Sequence, residues 1–133
     1  MGASGGMNIQ IDINGTIDYA PAFFSWFTKA LIKSGHKVFI ATTEPDSPEN
    51  RAEAVELLRK QRLQYTKLVM GYPLGKIPSA ALPRGFPRSD ILYAAKLICA
   101  KKNHIDILFD DDPYVLKLFH KHLPKIRTLK AGA

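Results

Sequence analysis

Val38-Phe39-Ile40-Ala41 is an unbroken apolar run between His36-Lys37 and Thr42-Thr43. A strand of this kind is covered on both faces, which requires helices on both sides of its sheet. The chain supplies them in alternation. Ile9, Ile11 and Ile13 alternate with Gln10 and Asp12, the period-two mark of a strand, and a turn containing Asn14-Gly15-Thr16 follows. Pro21 to Lys33 has apolar residues at 23, 24, 27, 30 and 31, helical spacing with one buried face, opened by Pro21 and stopped by Ser34-Gly35. After the 36–43 strand, Ser47 or Asn50 can cap a second helix read over 52–63. A third strand is read at 65–71, and a third helix at 90–102 that Ser89 can cap. A fourth strand runs over 105–109, Pro113 opens a fourth helix, and 126–129 is a last short strand. This order predicts an α/β fold of three layers, Rossmann-like, around a central, mostly parallel sheet of about five strands with right-handed crossovers.

A chain of 133 residues is long enough for one domain and too short for two comfortable ones, so 7–133 is read as a single domain and 1–6 as a leader. One cysteine, Cys99, excludes an internal disulfide framework and a thiolate metal cluster, and its apolar helical setting predicts a buried structural thiol. No apolar run reaches membrane-spanning length and the N-terminus lacks a signal-peptide core, so no membrane partner and a cytoplasmic location are expected. Nineteen lysines and arginines against twelve acids give +7. The basic residues are scattered, with no stripe interleaved with aromatics, so the charge supports an anionic ligand more than a nucleic-acid surface. Residues 72–88 hold four prolines and two glycines; a connection of that length is often functional, and Lys76, Arg84 and Arg88 make it a candidate substrate-recognition lip.

Asp12 ends the first strand and Asp110-Asp111 ends the fourth. In an open parallel sheet these acids meet only if their strands are neighbours, as in the expected order 3-2-1-4-5. Like charges so forced together are tolerated chiefly around a cation, and an all-oxygen ligand set favours Mg²⁺ over zinc. A carboxylate beside such an ion can attack phosphorus, with a hydroxyl and a lysine holding the other phosphoryl oxygens. Thr42 and Lys96 are available for those roles.

Asp12-Ile13-Asn14-Gly15-Thr16 resembles the Asp-x-Asp-Gly-Thr nucleophile motif of the haloacid dehalogenase-like superfamily. Val38 to Thr42 looks like its second motif, with Thr43 a less favoured alternative to Thr42. Ile107 to Asp111 looks like its fourth, in paired-aspartate form, and Lys96 is the choice for the third, with Arg88 in reserve. The likeness covers nearly the whole chain from Met7.

The resemblance implies Asp12 as nucleophile and magnesium ligand, joined by the Asn14 carbonyl, Asp111 and, directly or through water, Asp110. It implies that Lys96 stabilises Asp12 and an aspartyl-phosphate, and that Thr16, Thr42 and Thr43 are candidate phosphate or substrate contacts. The capping argument sets Lys96 two turns inside its helix. Two departures matter. Asn14 stands where such phosphatases usually carry the aspartate that protonates the leaving group and then activates water. The 72–88 loop is also too short for a folded cap, so the molecule looks capless and open to exposed phosphate esters. Glu44, two residues past Thr42, stands where many relatives carry a basic residue. The leading expectation is a Mg²⁺-dependent phosphomonoester hydrolase for a phosphorylated small molecule, nucleotide or phosphoprotein. The alternative is a lapsed phosphate-binding or interaction module. A receiver-like phospho-acceptor domain fits less well, because its acidic pair normally comes first, and nucleic-acid binding has the weakest case.

Overall fold

The computed structural model describes residues 6–73 and 75–132; of the expected leader, 1–5 lie outside the described residues. Five strands, β1 (Asn8–Asp12), β2 (Lys37–Pro45), β3 (Lys67–Gly71), β4 (Ile107–Asp110) and β5 (Arg127–Lys130), form one sheet. Their order is β3-β2-β1-β4-β5, as expected, and every pairing is parallel. Four helices connect them: α1 (Pro21–Lys33), α2 (Pro48–Lys60), α3 (Ala94–Lys102) and α4 (Pro113–His122).

Side-chain parity along the strands sorts the residues into two cores. Ile9, Ile11 and Ile13 of the first strand and its turn, with Val38 and Ile40, pack against Phe24 of α1 and Leu58 of α2. On the opposite face Phe39, Ala41 and Leu108 pack against Leu97 of α3 and Val115 and Phe119 of α4. Phe24 and Phe27 of α1 also meet Phe109 of β4 edge-on, at ring separations of 6.2 and 5.4 Å. That contact ties β4 to the helix that leaves β1. Burial on this scale supplies most of the stability, because each fully buried aliphatic or aromatic side chain contributes about 1.5–3 kcal/mol.

Several boundaries differ from the reading of the sequence. α2 begins at Pro48, four residues earlier than expected, because Ser47 Oγ accepts the Asn50 N–H at 3.0 Å and Pro48 fills the first helical position. The expected 90–102 helix divides into a 3₁₀ segment, Arg88–Tyr93, and α3, so Ser89 lies inside the 3₁₀ stretch and caps nothing. Ala94 to Ala100 are all buried. A helix covered all round has no polar face to mark where it starts. The 72–88 segment includes a 3₁₀ turn, Ser79–Ala81; Phe86 packs against the α3–α4 core and lies 5.4 Å from the His122 ring. Among the described residues no helix is long and apolar enough to cross a membrane.

Candidate active site

The strand register sets Ile11 beside Phe109, so the next residues along, Asp12 and Asp110, stand together at the C-terminal edge of the sheet. Open α/β sheets place their ligands at this edge, where the strand order reverses. Both side chains point to the α3 face, by the same parity that puts Gln10 and Leu108 there. Lys96, in the first turn of α3, lies between them. Its Nζ donates to Asp12 Oδ1 and to Asp110 Oδ2, each at 2.8 Å. All three are buried: Asp110 is 0% exposed, Lys96 5% and Asp12 7%. The 3₁₀-to-α junction at Ala94 therefore brings Lys96 to the sheet edge, and the expectation that it sits two turns inside a helix is corrected. Arg88 lies exposed in the 3₁₀ segment.

Asp111 completes the acidic group. One carboxylate oxygen from each of Asp12, Asp110 and Asp111 lies within 4.8 Å of the others. Three carboxylates against one ammonium leave a formal charge of −2 when all are ionised (−3 + 1). Burial, reinforced by Asp110, pushes the Asp12 carboxyl up to about 7, with Lys96 offsetting only part of the effect. Burial also raises Asp110. For Lys96, burial alone would favour the neutral amine, but the two flanking carboxylates outweigh it and the ammonium is held above its ordinary value. The donor set suits a hard divalent ion: it is all oxygen, confined to one edge and carries an uncompensated charge that such an ion cancels.

The turn after β1 closes around this group. Thr16, fully buried, donates from Oγ1 to Asp12 Oδ2 at 3.2 Å, so the structure makes it a brace for Asp12 rather than a wall of the cleft. Gly15 has φ +80°, and a Cβ there would run into the Asp111 carboxylate. Its N–H donates to Asp18 Oδ1 at 2.5 Å. Gly15→Ala is expected to cost about 1–3 kcal/mol, from left-handed strain and displacement of Asp111. Urea unfolding should show this as a lower midpoint at unchanged slope.

Asp12, Asn14, Thr42, Thr43, Lys96, Asp110 and Asp111 together line a cleft of about 430 Å³, with Tyr93 and Asp112. Thr42 Oγ1 accepts the Glu44 N–H at 3.2 Å. Lys76, Arg84 and Arg88 do not line this cleft; all three are exposed, on a segment that Phe86 seats against α4. Three participants escaped the sequence reading. Gln10 is fully buried beneath Asp12, and its Nε2 donates to the Lys96 carbonyl at 3.2 Å, tying the first turn of α3 to β1. Asp112 caps α4 by accepting the Tyr114 N–H at 2.9 Å, and its own N–H donates to Asp110 Oδ1 at 3.0 Å. Tyr93 lines the cleft at the 3₁₀-to-α junction, which nothing in the apolar pattern marked.

No family model matches the chain, and no curated protein matches it. Solved structures do. Over 96% of its length it superposes on 47% of a chain in the Pnkp1/Rnl/Hen1 complex, with a TM-score of 0.63 and 14% identity. In the Pnkp1/Rnl/Hen1 RNA repair complex the match covers 95% of this chain and 42% of that one, again with a TM-score of 0.63 and 14% identity. An uncharacterized protein from Corynebacterium glutamicum ATCC 13032 Kitasato matches over 97% of this chain and 87% of its own, with a TM-score of 0.60 and 15% identity. The chain spans less than half the length of the chains it matches in the two complexes. At these identities the likeness is one of fold. The chain thus shares the small α/β fold of these structures, and its own strand-end acids converge at the C-terminal edge of the parallel sheet.

Proposed function

We propose that the chain is a Mg²⁺-dependent phosphomonoester hydrolase in which Asp12 is the nucleophile. The observation that carries this reading is the convergence of Asp12, Asp110 and Asp111 on one small volume, with Lys96 bonded to two of them. Asp12, Asp110, Asp111 and the Asn14 carbonyl would hold the ion, which would neutralise the phosphoryl group and hold Asp12 ionised. Asp12 attacks phosphorus, the ester P–O bond breaks, and the alcohol departs with a proton from solvent, leaving an aspartyl-phosphate. Water then attacks that phosphorus, releasing inorganic phosphate and regenerating Asp12. Lys96 steadies the phosphoryl charge from the α3 side. Thr42, whose oxygen already accepts the Glu44 N–H, has its own hydrogen to donate to a phosphoryl oxygen, with Thr43 beside it.

The exposed Asn14 cannot supply the leaving group's proton, so esters of acidic alcohols are the favoured substrates. The open cleft accommodates nucleotides, small phosphate esters or a phosphoprotein side chain. A cytoplasmic setting belongs to the same reading. Cys99 takes no part in the reaction, because burial raises its thiol to about 11 and leaves it inert. Asn14 also motivates a second reading, a lapsed catalyst that binds phosphate esters without turning them over. Steady-state hydrolysis of p-nitrophenyl phosphate, with Mg²⁺ and with a chelator, separates the two. Turnover lost on chelation is expected; no turnover, or turnover indifferent to the metal, would overturn the hydrolase.

A further inference from the structure

Beside the acidic cleft lies a second recess of about 280 Å³, and the two share Asn14 and Thr42 as walls. We propose that this recess is the leaving-group site and that it selects a ring-sized alcohol bearing N–H or O–H donors, neutral or cationic, over one bearing a second anion. The proposal rests on the hydrolase reading and narrows its substrate class.

Position is the first argument. Asn14 and Thr42 line both the acidic cleft and the recess, so an alcohol attached to a phosphoryl group in the cleft has the recess beside it. A phosphoryl group seated among Asp12, Thr42 and Lys96 would lie in the cleft whose shared walls, Asn14 and Thr42, also bound the recess. Size is the second. The recess falls just under the range of about 300–1,000 Å³ typical of pockets for drug-sized molecules, and so suits a single ring. Its floor is apolar, formed by Ile13, Ala54 and Leu57.

Chemistry is the third. The charged side chains lining the recess are Glu44, from the end of β2, and Glu53, from α2. Asn50 donates one Nδ2 hydrogen to the Pro45 carbonyl at 2.9 Å, and its Oδ1 adds an acceptor beside its second N–H. The rim is therefore rich in acceptors and acidic, in a chain whose formal charge is +7. Among the described residues no lysine or arginine lines it, and Lys96, bonded to Asp12 and Asp110, lines the neighbouring cleft rather than the recess. A carboxylate or second phosphate on the alcohol would meet like charge, whereas an amine or hydroxyl would find acceptors.

Three pyranose 1-phosphates test this: glucosamine 1-phosphate, glucose 1-phosphate and glucuronic acid 1-phosphate, rings of the same size that are cationic, neutral and anionic away from the phosphate and whose leaving group is an acidic hemiacetal hydroxyl. Their binding to Asp12→Asn with Mg²⁺, measured by calorimetry, should weaken in that order, spanning at least about tenfold in Kd. Adding Glu44→Gln and Glu53→Gln should collapse the spread to within about threefold. Equal affinities, a spread that survives both substitutions, or no binding of any ester would overturn the proposal. Wild-type turnover of p-nitrophenyl phosphate reports separately on the reaction. A binding preference without turnover would sink the hydrolase and keep the ligand class; turnover without a preference would do the reverse.

Discussion

Asn14→Asp is expected to raise kcat on an alkyl phosphate by about 10²–10⁴, the usual contribution of one well-placed general acid–base group. Asn14 is exposed, lines the cleft beside Asp12 and bounds the recess where the alcohol would sit, so a carboxyl there can reach both the departing oxygen and the incoming water. The gain should be small on p-nitrophenyl phosphate, whose leaving group needs little protonation. The two-substrate comparison therefore distinguishes acid catalysis from a general improvement of the site. Asp12→Asn provides the opposite limit, a loss of at least about 10³-fold on both substrates, because removal of a covalent nucleophile leaves only residual binding effects. Equal rates for Asn14→Asp and wild type on the alkyl ester would show that another group already moves the proton.

Lys96→Met should produce the largest change in stability. Methionine keeps the length of the side chain but leaves Asp12 and Asp110 facing each other without the ammonium that bonds both at 2.8 Å. Breaking a buried ion pair on one side typically costs about 3–5 kcal/mol. The deficit should depend on pH, and its sign follows from the carboxyls. Asp12 stands at about 7 in the folded protein against 3.8 as a free group, and Asp110 is raised as well. A carboxyl raised by folding favours the folded state while protonated, and that benefit is lost as pH climbs from about 4 through about 7. Removing Lys96 raises both groups further, so the deficit should be largest near about pH 8 and shrink toward about pH 5. Millimolar Mg²⁺ should recover part of it at the alkaline end, where the ion no longer competes with protons for its ligands. Urea unfolding of both proteins at the two pH values, with and without Mg²⁺, reads all of this. A deficit indifferent to pH and to the metal would mean that Lys96 acts only by filling space.

How much of this could be read in advance depended on what kind of signal each residue carries. The acids were legible because like charges at two strand ends, in a fold that can bring those ends together, have few uses. The strand order followed the same logic. Gln10 was not legible as a buried residue: alternation says that two faces of a strand differ, and an α/β sheet covered on both sides buries the polar set as well. Lys96 was singled out through the resemblance to a third motif, and its depth was misjudged because Ser89 looked like a cap. The chain instead passes through a 3₁₀ stretch before α3, a break that a helix buried on every side does not announce. Lys76, Arg84 and Arg88 show the limit of reasoning from charge. Composition made their segment look like a lip over the cleft, whereas the three side chains do not line it; Phe86 packs beside His122, a contact that sequence does not encode locally.

The bonds that hold the site together also have a history in time. Asp12 and the lysine that meets it are separated by 84 positions, and the β1–β4 pairing beneath them spans a comparable stretch of chain. Contacts this distant form late, after loop closure has been overcome. On a ribosome, a nascent chain would expose its first aspartate well before the rest of the ligand set had been synthesised, with no pocket of charge to trap an ion. Capture of the proposed cation would thus report that the segment carrying Lys96, Asp110 and Asp111 has docked, and binding of a luminescent lanthanide in its place should appear only in the slowest phase of refolding.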